Sequence, residues 1–190
     1  MSRGNAANVT AGKPRVDGGV YIAPLNTALP NDAKTALAAA FVNAGYVSED
    51  GVTNTQSRQS TEIKEWGGLV VDTVSTGFSD QWKIKFIEGL NTGVMKLVHG
   101  DDNVTEASGK VTVTVNGAEL DEYVVVIDMA AKGNKLKRVV LPRAKVTGIG
   151  DIVYKGTDPV AYDATISAAP DSSGNCHYEY IESETAASGT

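Results

Sequence analysis

Gln81-Trp82-Lys83-Ile84-Lys85-Phe86 alternates polar and apolar side chains, and this alternation decides the fold. In an extended chain successive side chains point to opposite faces, so Trp82, Ile84 and Phe86 share one face and Gln81, Lys83 and Lys85 the other. A face suited to a core backed by a face suited to water is the pattern of a half-buried antiparallel sheet. Working outward, Phe78–Ile87 and Leu69–Ser75 read as the two strands of a hairpin turning at Thr76-Gly77. The Trp82 face is expected to pack inward on a helix formed by Ala33–Ala44.

The same periodicity recurs. Val111, Val113 and Val115 alternate with Thr112, Thr114 and Asn116, ahead of the turn signal Asn116-Gly117. Tyr123–Met129 and Lys135–Leu141 form a strand pair around Lys132-Gly133-Asn134, and Ala144–Ile149 continues the second strand past Pro142. Val20–Pro24 is a short strand and Pro159–Ala168 a last one. Two helices interrupt the strands. Ala33–Ala44 is built of strong helix formers, offers Asn31 or Asp32 as a cap, and sets Leu37, Ala40, Phe41 and Ala44 in one stripe, with Gly45 as its stop. Asn91–Val98 is a shorter helix, capped by Asn91 or Thr92 and closed by Gly100. The expected fold is therefore mainly β (α+β), an antiparallel β-sandwich or partial barrel with a flanking α-helix.

The chain has 190 residues, 42% hydrophobic and 21% charged. That length suits one domain, and that composition excludes a disordered chain. Residues 1–17 read as a polar arm, 18–182 as the folded domain with a long polar loop over 53–68, and 183–190 as a flexible tail. A net charge of −6 argues against a nucleic-acid-binding face. The single cysteine, Cys176, excludes an internal disulfide. The longest apolar runs, such as Val124–Ile127, have strand length, so no membrane span and no membrane partner are expected. The start of the chain has no apolar stretch of the kind a signal peptide needs.

No catalytic device emerges. His99 beside Asp101 and Asp102 reads as a cation at a helix end. Cys176 and His177 are adjacent, which in a strand turns them to opposite faces. Gly148-Ile149-Gly150-Asp151-Ile152 is too short for a dinucleotide fingerprint, and Asp101-Asp102-Asn103 lacks the spacing of a calcium loop. No catalytic residue, cofactor or metal is expected.

Charge falls in blocks. Residues 101–131 carry seven acids against one base, 132–156 seven bases against one acid, and 157–190 six acids with no base. Opposite blocks steer docking between copies of one chain. They also balance when they face each other across one hairpin, and the sequence leaves both arrangements open.

Ordered segments carry a resemblance over residues 19–181. Gly19-Val20-Tyr21-Ile22-Ala23-Pro24, Thr27-Ala28-Leu29-Pro30, Phe41, Gly45–Val52, Ile63-Lys64-Glu65-Trp66-Gly67-Gly68, Phe86-Ile87-Glu88, Val98–Val104, Gly148–Ile152 and Tyr178-Glu179-Tyr180-Ile181 resemble the major tail proteins of long-tailed, non-contractile phages, most of all those of phages of actinobacteria. The resemblance implies a non-enzymatic structural virion protein, made and assembled in the host cytoplasm. Such proteins stack as hexameric rings into a hollow tail tube with a continuous inner β-barrel. The implied partners are the chain itself, the tape-measure protein inside the tube, and the tail terminator and tail-tip initiator proteins. DNA passes through the bore without specific binding.

On this reading the loop Thr53–Gly68, with Glu62, Lys64, Glu65 and Trp66, bridges to the next ring. Asp72, Asp80 and Glu88 face the bore, the parity of Asp72 and Glu88 depending on whether a bulge lies near Gly77. Lys135, Lys137, Arg138 and Arg143 meet Glu119, Asp121 and Glu122 of another subunit. The competing class is a monomeric β-sandwich binding module of the virion, which predicts a cluster of exposed aromatics beside a groove.

Overall fold

The Trp82 alternation sits near the root of the longest strand pair in the molecule. A computed structural model describes residues 4–15 and 18–184. The strands are β1 (Lys13–Pro14), β2 (Val20–Pro24), β3 (Val42–Asn43), β4 (Val47–Lys64), β5 (Val70–Phe86), β6 (Val104–Ala107), β7 (Lys110–Val113), β8 (Glu122–Ala131), β9 (Lys135–Ile149), β10 (Tyr162–Ala168) and β11 (Tyr178–Ser183), with one helix, α1 (Thr92–His99). Among the described residues nine strands form one antiparallel sheet in the order β3-β2-β8-β9-β10-β5-β4, with β1 also on β8 and β11 also on β9. β6 and β7 make a separate hairpin. The expected mainly β fold, an antiparallel open sandwich with one flanking helix, is the fold observed.

Pro142 explains the shape of β9. Tyr123 opposes Ala144 while Val125 opposes Leu141, so β9 carries one extra residue at Pro142–Arg143. A bulge is where a strand tolerates a proline, which has no N–H to give the ladder. Before the bulge β9 lies between β8 and β11; after it β9 pairs with β10.

Two apolar clusters use the two faces of β8. Val125 and Ile127 join Trp82, Ile84, Phe86, Leu141 and Ile166 in the main core, which α1 caps with Val94, Met95, Leu97 and Val98. Val124 and Val126 face the other way, onto Ala23 and Val140, under Tyr21, Leu37, Phe41, Tyr178 and Tyr180. Burial on both faces is why Val124–Ile127 reads as a continuous apolar run. The helix α1 forms as expected: Asn91 Oδ1 accepts from the N–H groups of Gly93 and Val94, and Gly100 N donates back to Lys96 O.

Three expectations are corrected. Residues 33–44 do not form a helix; they cross the outer cluster as an irregular segment ending in β3. Asp32 does cap, its Oδ1 accepting from Lys34 N (2.8 Å) and Thr35 N (2.6 Å). However, the Arg138 guanidinium donates to Asp32 O (3.1 Å) and Thr35 O (2.9 Å), and Leu37 and Phe41 spread onto the tyrosines. A twelve-residue helix is marginal by itself, and tertiary contacts outweigh its propensity. Trp82, Ile84 and Phe86 consequently share their core with α1, and of residues 33–44 Ala44 alone joins it.

The polar loop over 53–68 is mostly strand. β4 pairs with β5 from Thr53↔Lys83 to Lys64↔Val70. Lastly, Thr76-Gly77 is no turn: β5 runs through it, with Gly77 opposite Gln59 and Ser75 opposite Ser60, so Thr76 is a bulge. At the ends of the chain, Lys13–Pro14 of the polar arm pairs with β8, and β11 extends to Ser183. Residues 1–3, 16–17 and 185–190 of the arm and tail lie outside the described residues.

Candidate functional site

The β4–β5 hairpin leaves the core and continues as a bare ribbon. From Thr53 to Thr76 every side chain is exposed, and burial on β5 begins only at Asp80. Twelve residues, Thr53–Lys64, span roughly 40 Å of extended chain. The polar, Thr- and Ser-rich composition fits a strand with neither face buried. Yet the ribbon also exposes Ile63, Leu69, Val70, Val71, Val74 and Phe78. Arg58 stacks on the Phe78 ring at 4.6 Å, a cation–π contact.

Glu62, Lys64, Glu65 and Trp66 come together at the tip. Lys64 Nζ lies 3.2 Å from Glu62 Oε2. Glu65 closes the turn: its N–H donates to Leu69 O, its carbonyl accepts from Gly68 N, and its carboxylate accepts from Leu69 N. Backbone hydrogen bonds from Gly67 and Leu69 hold that carboxyl below its ordinary pKa. Gly68 has φ +91°, a backbone that disfavours a side chain. Trp66 is wholly exposed.

The three acids expected at one surface separate. The bulge at Thr76 reverses the parity of β5 beyond it, which places Asp72 on the outward face of Lys83 and Lys85. Asp80 lies on the inward face, 1% exposed, bonded to Asn54 and His177, so it presents no carboxylate to a surface. Glu88 is half-buried, its carboxylate accepting from Tyr46 N (2.9 Å) and Asn91 Nδ2 (3.3 Å) beside α1. The outward face at the hairpin root is a field of hydroxyls, amides and lysines: Thr53, Thr55, Gln81, Lys83, Thr165 and Ser167, with Lys83 paired to Asp163 at 3.4 Å.

Charges of the opposite blocks pair within the chain, across the β8–β9 hairpin and beside it. Arg143 makes two bonds to Glu122 (2.8 and 2.9 Å), and Lys145 bonds Glu119. Those cations hold the Glu122 and Glu119 carboxyls below the usual range. Arg138 is 2% exposed and grips Asp128 bidentately (2.6 and 2.8 Å). Lys137 pairs with Glu179 at 2.8 Å. Of the seven, Lys135, Glu119 and Asp121 are exposed.

Several strand edges carry no partner strand among the described residues, those of β3 and β11 included, and two of them bear on the ribbon. One is the outer edge of β4. The other is β9 from Val146 to Ile149, which pairs with β10 on one side only, because β8 ends opposite Lys145. An open edge of this kind is a template for a further strand.

The histidines suggest no chemistry. His99 packs edge-on to Tyr162 at 5.6 Å. Burial pushes its pKa down, which disfavours the cation expected there. His177 Nδ1 bonds Asp80, a pairing no local signal reveals because the two lie 97 positions apart. Burial pushes the Cys176 thiol up, with Asp80 and Asp171 adding to the effect. Among the described residues no group of three or more His, Cys, Asp or Glu is placed to hold a metal ion, and no helix is long and apolar enough to cross a membrane.

The apolar side chains of the ribbon, Ile63, Leu69, Val71, Val74 and Phe78, are functional candidates that the sequence reading did not single out. Their signal lies in the uninterrupted strand-compatible run Thr53–Ile63, which has too few turn residues for a loop. Against known proteins, a family model described as "Phage tail tube protein" matches residues 1–190. No curated protein matches the chain.

Proposed function

The chain belongs to the phage tail tube protein family, and we propose that its copies join through the β4–β5 ribbon and the open strand edges into hexameric rings stacked as the tail tube. The structural role in a virion tail follows from the family; the ring, its joints and its contents are our reading. The observation that carries it is the ribbon. A two-stranded hairpin is marginal alone in water. This one exposes both faces and a row of apolar side chains, over a length of roughly 40 Å at the usual rise per residue. A second copy relieves that exposure.

Within a ring, the outer edge of β4 adds to the Val146–Ile149 edge of β9 in the next copy, which continues β4-β5-β10-β9 from copy to copy and closes a barrel. The joint uses two different surfaces, so it is heterologous and closes by rotation. Glu62, Lys64, Glu65 and Trp66 at the tip reach the adjacent ring. The outward face, with its hydroxyls, its lysines and Asp72, lines the bore, which houses the tape-measure protein and later conducts DNA. Terminator and tip-initiator proteins cap the two ends.

Dynamic light scattering on concentrated protein tests this. Growth to large particles is expected for the native chain. A variant in which residues 58–78 are replaced by Asn-Gly, joining the cross-strand partners Ser57 and Ser79, should still unfold cooperatively and stay small. Growth of that variant at the native rate would remove the ribbon from the mechanism.

A further inference from the structure

Asp80 is the last buried residue of β5 before the strand leaves the core, and nothing in the assembly reading uses it. An apolar residue there would continue the Trp82-Ile84-Phe86 stripe without the cost of desolvating a carboxylate. Instead Asp80 Oδ1 accepts from Asn54 Nδ2 (2.6 Å) and Oδ2 from His177 Nδ1 (2.5 Å). A carboxylate only accepts, so Nδ1 carries the hydrogen. The same Asn54 amide reaches Gln81 O (3.2 Å), and the His177 ring meets Trp82 edge-on at 5.3 Å. Both strands of the ribbon root are thus tied to the residue just before β11.

The far side of this tie is itself braced. The Asp171 carboxylate accepts from Ser173 N (2.8 Å), Asn175 N (3.1 Å) and Tyr178 Oη (2.5 Å), and β11 is laddered onto β9. β11 shares no ladder with β4 or β5, so the imidazole–carboxylate bond is a side-chain link between two parts of the sheet that the backbone leaves apart. Its leverage is large: a rotation of about 10° at the root moves the tip of a ribbon roughly 40 Å long by about 7 Å.

We propose that Asp80, Asn54 and His177 form a clasp that sets the direction in which the β4–β5 ribbon leaves the molecule. The inference rests on the reading that this ribbon joins copies; its test does not. Hydrogen exchange on the unassembled chain compares the native protein with His177→Ala and with Asp80→Asn, a near-isosteric change that keeps an acceptor. In His177→Ala, amides around Asn54, Gln81 and Tyr178 should exchange about tenfold faster or more, while those of β8 stay protected. Asp80→Asn should move the same amides by less. Particle growth should slow in both, whereas Trp66→Ala should slow growth with exchange at the root unchanged. In a Trp66→Phe background, where Trp82 is the sole tryptophan, His177→Ala should shift its emission to the red. Unchanged exchange at the root, or uniform loosening that includes β8, overturns the clasp. If the native chain never grows, the assembly reading falls while the exchange comparison still decides this one.

Discussion

Trp66 and Arg138 mark the two extremes of what a single residue does in this protein. Trp66 is wholly exposed. Trp66→Ala should therefore change the folding free energy by no more than about 0.5 kcal/mol, the usual span for surface substitutions. It should nonetheless slow particle growth; urea titration and light scattering on one preparation check both. Arg138 is buried against Asp128. Arg138→Met leaves that carboxylate, among the described residues, with Arg15 at 4.0 Å and releases Asp32 and Thr35. The loss should cost about 3–5 kcal/mol in urea unfolding. Adding Asp128→Leu should recover most of it, because an apolar pair avoids the unpaired charge. Titration has a definite sign. Hydrogen bonds from Arg143 to Glu122, and from Tyr178 and the Asn175 backbone to Asp171, lower both carboxyls in the folded chain, and burial lowers His99. Each contributes stability that is full above its ordinary value and is lost as pH falls through the folded one. Stability should therefore decline on acidification, starting below the ordinary histidine value of 6.5. His99→Gln should flatten that first part and leave the later carboxylate part; thermal melts from about pH 2 to about pH 7, running from below the ordinary carboxylate values to above the histidine one, read the difference.

Among the elements, those that bury one face or both were plain in the sequence and those that bury neither were not. The stripe Trp82-Ile84-Phe86, the run Val124–Ile127 and the caps of α1 follow from periodicity and hydrogen-bond chemistry, since their own side chains carry the signal. The ribbon over 53–79 lacks such a signal because no face is covered within the chain, so its polar half reads as a loop and its bulge at Thr76 as a turn. Residues 33–44 fail for the opposite reason: their local preference is helical, while the deciding contacts, Arg138 and Tyr178, lie far along the chain. The tip cluster Glu62–Trp66 was legible because a bare tryptophan beside polar residues is unusual. The Asp80–His177 tie was not, because topology alone brings it together. If residues 33–44 are held open by these contacts, Arg138→Met should raise the helical signal in the far-ultraviolet spectrum as the released segment follows its own propensity. No gain in helicity would mean that Leu37 and Phe41 suffice to hold it.

For the whole molecule, charges of the opposite-sign blocks pair within the chain, while the ribbon leaves apolar side chains and an open backbone edge exposed. Growth driven by apolar burial and strand addition should not slow when salt rises from about 0.1 to about 1 M, a change that shortens the screening length from roughly 10 Å to roughly 3 Å. Slower growth at high salt would return the charge blocks to the joint between copies. The central claim is that this sheet is completed by sister chains. Cryo-electron microscopy of the assembled protein tests it most directly. The account predicts closed rings in which β4 of each copy lies beside Val146–Ile149 of the next, with the ribbon tips on the adjacent ring. Particles with both strand edges open and the ribbons in solvent, or a chain that stays single at high concentration, would contradict it.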